Sequence, residues 1–492
     1  MADKVMLINP AFGMNLSSDM ESAYRHSMPV PMLCLGTYLQ EQGFDVKCVD
    51  GLTNFKYIDE IKRNLDNVDA VGLSMMTAQI PEALRISAMA KEKDIPVVWG
   101  GVHPTFFSEQ TVKHPLVDYA ILDEGEQTMT ELLHGIKDTN TDFDKIKGIA
   151  FYDKNNSYHK TEKRPFLPIE KLPQINWWLL KDAALNYDCI PSHTSRGCPH
   201  RCAFCIDVVT QNTGRARPIE MALDDIEHDL KFFKARHIKF REENFFMNKK
   251  RVVGIIEGMI EKKLDVTWEA NIRVNYFHQN YVNDEVLVKM KKSGATKCCF
   301  GAESGNDRVL KMIDKDQKRE HILNAARACN KHKIQGQFSF MVGLPGEEKH
   351  EMYDTLSCID QIFKINSEFE VLGPQPFRPY PGGKLYHDCI KSGWKEPESL
   401  DEWSEVMKHE IRYMSVQNLP WMKNKDVIEA LESYVRFGAH SVKSGLNSSV
   451  KINKIAKLMY IALEKARWKT KFFEFPIEFK LAKYLIDKRV IM

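Results

Sequence analysis

Short apolar runs alternate with stretches of helical periodicity twice along this chain, and that alternation limits the fold more than any other feature. In the first 135 residues, Val5–Ile8, Asp45–Val49, Ala70–Ser74, Pro96–Trp99 and Tyr119–Leu122 read as buried strands. Helical patterns over Met32–Gln42, Pro81–Lys91 and Glu126–Gly135 lie between them. Strands spaced by helices imply a parallel, doubly wound, Rossmann-like sheet, which binds ligands at the carboxyl ends of its strands. The Gly-x-Gly-x-x-Gly dinucleotide fingerprint is missing after the first strand, where Asn9-Pro10-Ala11-Phe12-Gly13 stands, so NAD is not the expected ligand.

At 492 residues the chain has room for about three domains. Residues 1–137 form the first expected domain, and 138–186 a hairpin about Asp153–Ser157 followed by a proline-punctuated linker. A second alternation fills 187–390, with strands near 189–195, 237–241, 266–271, 297–302, 335–342 and 369–375. Six such units suggest a partial parallel barrel, two short of the closed eight-stranded one. Residues 391–492 read as helical, opened by a capping box at Ser399-Leu-Asp-Glu402.

The broad class follows from composition. With 43% hydrophobic and 28% charged residues the chain is globular, and a net charge of +2 gives no reason to expect a nucleic-acid partner. No run of 18 apolar residues is present, and Met1–Val5 lacks the pattern of a signal peptide. Eleven cysteines without an export signal suggest reduced thiols and metal ligands in a cytoplasmic protein.

The most specific pattern is Arg196-Gly-Cys-Pro-His-Arg-Cys-Ala-Phe-Cys205, a C-x3-C-x2-C spacing directly after the first strand of the second domain. Three core thiols on one helix face is the plain reading, but Gly197 and Pro199 break a helix and favour a loop. Zinc would need a fourth ligand such as His200 or Cys189. A four-iron cluster suits three thiolates, because one iron then stays open.

With this triplet the chain resembles the radical S-adenosylmethionine (SAM) superfamily. Phe300–Gly305, Phe340–Glu347 and Pro379–Gly383 extend the resemblance through 189–385. Gly72–Ser74, Gly100–Thr105 and Asp123–Glu126 make the first domain similar to the cobalamin-binding domain of one large subgroup. The implied fold class is α/β: a Rossmann-like cobalamin-binding domain, a partial (β/α)6 radical SAM barrel and a helical C-terminal region. The resemblance implies that Cys198, Cys202 and Cys205 each hold one iron of a 4Fe-4S cluster, with Phe204 beside cluster and adenine. The amino and carboxylate groups of SAM would chelate the fourth iron, and cleavage would yield a 5′-deoxyadenosyl radical. Glu242 and Glu243 stand where the superfamily holds the methionyl ammonium, although the usual Gly-Gly-Glu is absent, and solvent-facing acids at a helix start are the alternative. Arg273 would pair with the SAM carboxylate, Glu303 would face the ribose and Gly343 the adenine. A surface salt bridge, a structural ion pair and a strand cap are their respective alternatives.

In the first domain Ser74, Gly100, Gly101, His103, Glu124 and Gly125 are the expected cobalamin contacts. The Asp-x-His-x-x-Gly cobalt-ligand motif is absent, so a hydrogen bond to the corrin side chains, or plain loop structure, is favoured over cobalt ligation for His103. The expected activity is C-methylation of an unactivated carbon, with an external electron donor such as flavodoxin or ferredoxin. A cyclase or oxidase using the same cofactors, and a corrinoid- or metal-binding regulator without turnover, are the alternatives. Finally, residues 451–492 hold eleven Lys/Arg and four acids, interleaved with Trp468, Phe472, Phe473, Phe475 and Phe479. A solvated face with buried aromatics is the first expectation. Peripheral contact with the inner membrane face, and then a lipid-like instead of a small soluble substrate, is the second.

Overall fold

The computed structural model describes residues 3–12, 28–54, 56–210, 213–278, 280–409, 416–439 and 454–487, so Gly13 of the first-strand loop and 451–453 and 488–492 of the basic tail lie outside the described residues. The chain forms two compact units. The first comprises Met1–Arg196, Val209–Arg236 and Glu396–Met414; the second comprises Gly197–Val208, His237–Lys395 and Ser415–Met492.

In the first unit β1 (Lys4–Asn9), β2 (Asp45–Asp50), β3 (Ala70–Ser74), β4 (Val97–Gly100) and β5 (Tyr119–Ile121) are parallel, and lie in the order β2-β1-β3-β4-β5. Strands buried on both faces are written as unbroken apolar runs, and Val5 through Asn9 are all buried. The hairpin β6 (Ile149–Tyr152) and β7 (Tyr158–Lys160) extends the sheet antiparallel. Its turn is tied by Asp153, whose carboxylate accepts from the Asn155 and Ser157 N–H groups at 2.9 and 2.8 Å. The chain order reverses between β1 and β3, the crevice where an open α/β sheet takes its ligand.

Two later pieces complete this unit. The short strands β8 (Ile190–Ser192) and β9 (Ser195–Arg196) follow the linker, and β9 pairs antiparallel with β10 (Arg215–Ala216). The helix Leu400–His409 then covers the β3 and β4 side, with Trp403 fully buried and its Nε1 donating to Gln110 Oε1 at 3.2 Å. Its cap differs from the expected box in one bond. The Glu402 N–H donates to Ser399 Oγ at 3.2 Å, but the Glu402 carboxylate takes the Glu398 N–H, not that of Ser399.

The second unit holds β11 (His237–Phe240), β12 (Thr267–Asn271), β13 (Ala295–Glu303), β14 (Gln335–Val342) and β15 (Glu370–Pro376), parallel and adjacent in chain order. Alternation along β14 buries Gly336, Phe338, Phe340 and Val342, while Gln335, Gln337, Ser339 and Met341 stay half-buried on the other face. That second face carries an ion-paired ladder across neighbouring strands. Glu269 meets Lys297 at 3.1 Å and Lys239 at 3.7 Å. Burial alone would raise the Glu269 carboxyl, but His237 and the two lysines outweigh it and hold it at about 2. Helices Lys425–Ser433, Lys454–Thr470 and Ile477–Asp487 and one π turn, Tyr434–Ala439, close the unit. Among the described residues no helix is long and apolar enough to cross a membrane.

Gly101 shows how tightly the β4 loop is set. Its φ of +100° is left-handed, and a Cβ there would lie 2.6 Å from the Met75 carbonyl oxygen. Gly101→Ala is expected to cost on the order of 2 kcal/mol, read from urea unfolding. A change within experimental error would contradict this account of the loop.

Candidate functional site

Every strand of the second unit is parallel, so each loop that follows a strand leaves at one carboxyl edge. Glu242 and Glu243 follow β11, Arg273 follows β12, Glu303 ends β13 and Gly343 follows β14. Four segments more than 100 residues apart in total are thereby set side by side.

The cysteine loop is seated at this edge by its backbone. The Ala203 N–H donates to the Ile313 carbonyl at 2.9 Å, and the Ala203 carbonyl accepts from the Leu385 N–H at 3.0 Å. A Cβ on Gly383 would fall 2.6 Å from that same carbonyl, so the close approach needs glycine. Cys205 N–H closes a turn onto the Cys202 carbonyl at 3.0 Å. Cys202 is buried, and Cys198 and Cys205 are partly so.

Donors are aimed at the sulfurs. Arg273 Nη1 lies 3.4 Å from Cys202 Sγ, and the Asp207 N–H lies 3.4 Å from Cys205 Sγ. Such donors stabilise thiolate charge on a bound cluster and tune its potential. Without metal, burial pushes the Cys205 thiol up to about 12 and also raises Cys198. Iron loading must therefore expel thiol protons.

Among the described residues no three His, Cys, Asp or Glu side chains converge as a site for one metal ion. A four-iron cluster takes each thiolate on a different iron. His200 is also committed, its Nε2 lying 2.8 Å from the Tyr276 hydroxyl, which Asn244 Nδ2 also approaches at 2.8 Å. Burial, with Arg273 next, lowers His200 to about 4, so the ring is neutral. Cys189 is buried in the first unit. The donor set fits a cluster better than zinc.

The remaining expected SAM residues are placed unevenly. Glu242 is fully buried, and its carbonyl accepts from Asn271 Nδ2 at 3.0 Å, while Glu243 is exposed. Arg273 is turned to the cysteine loop and also bonds Asn275 Oδ1 and the Lys315 carbonyl. Glu303 has a left-handed φ of +63° and pairs with Lys315 Nζ at 2.8 Å, the structural ion pair of the alternative reading. The same ammonium stands 5.3 Å from the Phe204 ring centroid. Lys315 thus joins Phe204 and Glu303, and no spacing in the sequence marks it.

Gly343 lies beyond them with φ +75°, its N–H donating to Glu347 Oε2 at 2.6 Å and its carbonyl accepting from Trp421 Nε1 at 2.9 Å. Glu347 ends the motif Phe340–Glu347, yet sequence reasoning did not single it out as a site residue. Burial raises its carboxyl to about 7 against the bonds from Leu344 and Gly343.

In the first unit the carboxyl edge is built on a buried polar network. Asn9 Nδ2 donates to Asp50 Oδ1 at 2.6 Å, and Gln79 Nε2 donates to Asn9 Oδ1 at 2.8 Å. Gln79 Oε1 accepts from the Met76 N–H at 2.7 Å. Burial pushes the Asp50 carboxyl up, against hydrogen bonds from Thr53 and Asn9. This network joins the loops after β1, β2 and β3. Its sequence signal is a polar residue ending an apolar strand, at Asn9 and Asp50.

Ser74 and Gly100 are half-buried at the ends of neighbouring strands, and the Met75 N–H donates to the Gly100 carbonyl at 3.0 Å. His103 is buried, with Nδ1 3.1 Å from Thr77 Oγ1 and its ring in a mutual three-ring cluster with Phe107 and Trp403. Burial lowers it to about 3. Its Nε2 has no hydrogen-bond partner among the described residues, which leaves one polar atom for a bound group at this edge. Glu124 is drawn away into ion pairs with Arg196, at 3.3 Å, and Arg215. Gly125 caps the helix Glu126–Lys137, and Glu126 takes the other side of Arg196 at 2.8 Å.

The Glu303–Lys315 pair gives a test of the edge. Removing one partner from a buried pair leaves an uncompensated charge, at about 3 kcal/mol, while removing both can be nearly neutral. Lys315→Met alone should destabilise strongly, and the double variant with Glu303→Gln should recover most of the loss in chemical unfolding.

Comparison with known proteins agrees with this architecture. The B12 binding domain family matches residues 20–133, and the Radical SAM superfamily matches residues 192–359. An uncharacterised methyltransferase of Pyrococcus horikoshii is 27% identical over 82% of this chain and 90% of that protein. The anaerobic magnesium-protoporphyrin IX monomethyl ester cyclase of Rubrivivax gelatinosus is 29% identical over 73% of this chain and 66% of its own. The bacteriochlorophyllide d C-12(1)-methyltransferase of Chlorobaculum tepidum is 28% identical over 72% and 73%. Two solved structures share the fold. The cobalamin-dependent SAM radical enzyme OxsB with aqua-cobalamin bound has a TM-score of 0.65 at 17% identity, covering 100% of this chain and 82% of that one. TsrM from Kitasatospora setae, with cobalamin and a 4Fe-4S cluster bound, has a TM-score of 0.62 at 15% identity, covering 82% and 84%. Both domains are matched in the order the sheets predict, and the chain belongs to the radical SAM enzymes that carry an N-terminal B12-binding domain.

Proposed function

We propose that this enzyme methylates an unactivated carbon of a small-molecule or lipid-like substrate. The carrying observation is the three-thiol loop seated at the carboxyl edge of a parallel sheet, in a chain whose first domain matches B12-binding proteins. Methyltransferases among the relatives favour methylation. When bound, the cluster and cobalamin supply the electron that cleaves SAM and the methyl group that is transferred.

The protein's own contribution is positioning and charge. Cys198, Cys202 and Cys205 would hold three irons, and Arg273 sets a positive charge against the Cys202 sulfur. Phe204 and the Glu303–Lys315 pair would border SAM, with Gly343 offering backbone to the adenine. Ser74, Gly100 and Gly101 would line the corrin, and His103 Nε2, which has no partner among the described residues, would meet a polar corrin side chain, not cobalt. An external electron donor of flavodoxin or ferredoxin type would reduce the cluster.

Anaerobic reconstitution should give about four irons and four sulfides per chain, and Cys202→Ala should remove both the cluster and 5′-deoxyadenosine formation. His103→Ala should leave the visible spectrum of bound cobalamin unchanged. Labelled methyl from SAM should appear in the product. The relatedness to an anaerobic cyclase supports a second reading: 5′-deoxyadenosine formed with substrate consumed but no label transferred would favour ring formation.

A further inference from the structure

Eight of the fourteen large hydrophobic side chains exposed among the described residues lie between Leu458 and Tyr484, so the apolar surface of this chain is concentrated on its last two described helices. The helix Lys454–Thr470 already packs one face inward. Trp468 is buried with Nε1 donating to Asp360 Oδ1 at 3.2 Å, Glu464 is buried, and Tyr460 shares a 2.6 Å hydrogen bond with Ser433 Oγ. Gly438 of the π turn fits closely under it, where a Cβ would lie 2.6 Å from the Glu464 carbonyl. Outward, the same helix shows Leu458, Met459 and Leu463. Ile477 and Leu481, one helical turn apart, continue an outward apolar stripe on the second helix, and Phe475 at the turn between the helices is 72% exposed.

Two tail acids are engaged: Glu474 bonds the Tyr353 hydroxyl and Lys349, and Glu478 takes Arg467 at 2.8 Å. Exposed Lys465 and Lys469, four residues apart, border the apolar stripe, and none of the ion pairs among the described residues includes either. Lys480 and Lys483 border the stripe of the second helix, bonded to Asp426 and Glu429. An apolar strip with lysines along its margin, Lys465 and Lys469 outside the ion pairs of the described residues, matches an anionic bilayer surface, where apolar side chains enter the acyl boundary and lysines reach the headgroups.

We propose that the helices Lys454–Thr470 and Ile477–Asp487 seat this protein on an anionic membrane surface. The aromatics of the tail divide accordingly: Trp468 and Phe473 are buried, whereas Phe472 and Phe475 face out. The proposal does not depend on which reaction the cofactor residues perform.

The test is flotation of the reconstituted full-length protein with vesicles of phosphatidylglycerol and phosphatidylcholine, and with phosphatidylcholine alone, at low and high salt. The full chain should float with the anionic vesicles, and high salt should weaken but not abolish the binding. Lys465→Gln with Lys469→Gln should weaken it about tenfold or more, since each basic residue near the surface contributes about fivefold. Ile477→Ser with Leu481→Ser should also weaken it at least about tenfold, with melting temperature and helix content unchanged. Three results would overturn the proposal: no flotation at low salt, flotation insensitive to both double variants, or a dimer in light scattering that Ile477→Ser with Leu481→Ser dissolves. The last would assign the patch to a second copy of the chain.

Discussion

The parallel crossover is the constraint on which the site depends. Two parallel strands cannot be joined by a tight turn; the chain must travel back through a helix before the next strand starts. Every loop after a strand therefore leaves from one edge and every loop before a strand enters at the other. In the second unit the Glu269–Lys297 pair ties neighbouring strands together within the sheet. Residues at the carboxyl edge can then be polar without weakening the core, because the apolar faces of the strands are buried elsewhere. The Arg273 and Lys315 cations occupy that edge as oriented groups, held by Asn275 and Glu303 before any ligand arrives. Groups fixed in advance need no reorganisation when charge appears beside them.

The strands were legible because their burial is local. Ala70–Ser74 has the same bounds in sequence and structure, and the continuous apolar run of Val5–Ile8 predicts β1 to within a residue at each end. The cysteine triplet was legible as a loop because Gly197 and Pro199 exclude a helix there. What stayed hidden depends on partners distant in sequence. Nothing near Lys315 says that it meets Glu303, or near Gln79 that it meets Asn9, seventy residues earlier. Glu124 stands in a suggestive motif but is held by Arg196 and Arg215, which reach it only because β9 and β10 pair. In the tail, the charge count does not say which side chains face inward. That is settled by Asp360, Tyr353 and the π turn, which take Trp468, Glu474 and Glu464 respectively.

The helix Leu400–His409 has a consequence for how the chain is made. Its Trp403 seals His103 and Phe107 of the first unit, although the whole run of strands β11 to β15 intervenes in the sequence. During synthesis the β-sheet of the first unit emerges early, but its cover arrives only after most of the chain has left the ribosome. Until then His103 and the aromatic Phe107 are open to water on the side that Trp403 will occupy. The first unit is consequently not a bead that folds and waits; it matures last as well as first, and a nascent chain halted before Glu396 would carry an unfinished ligand domain.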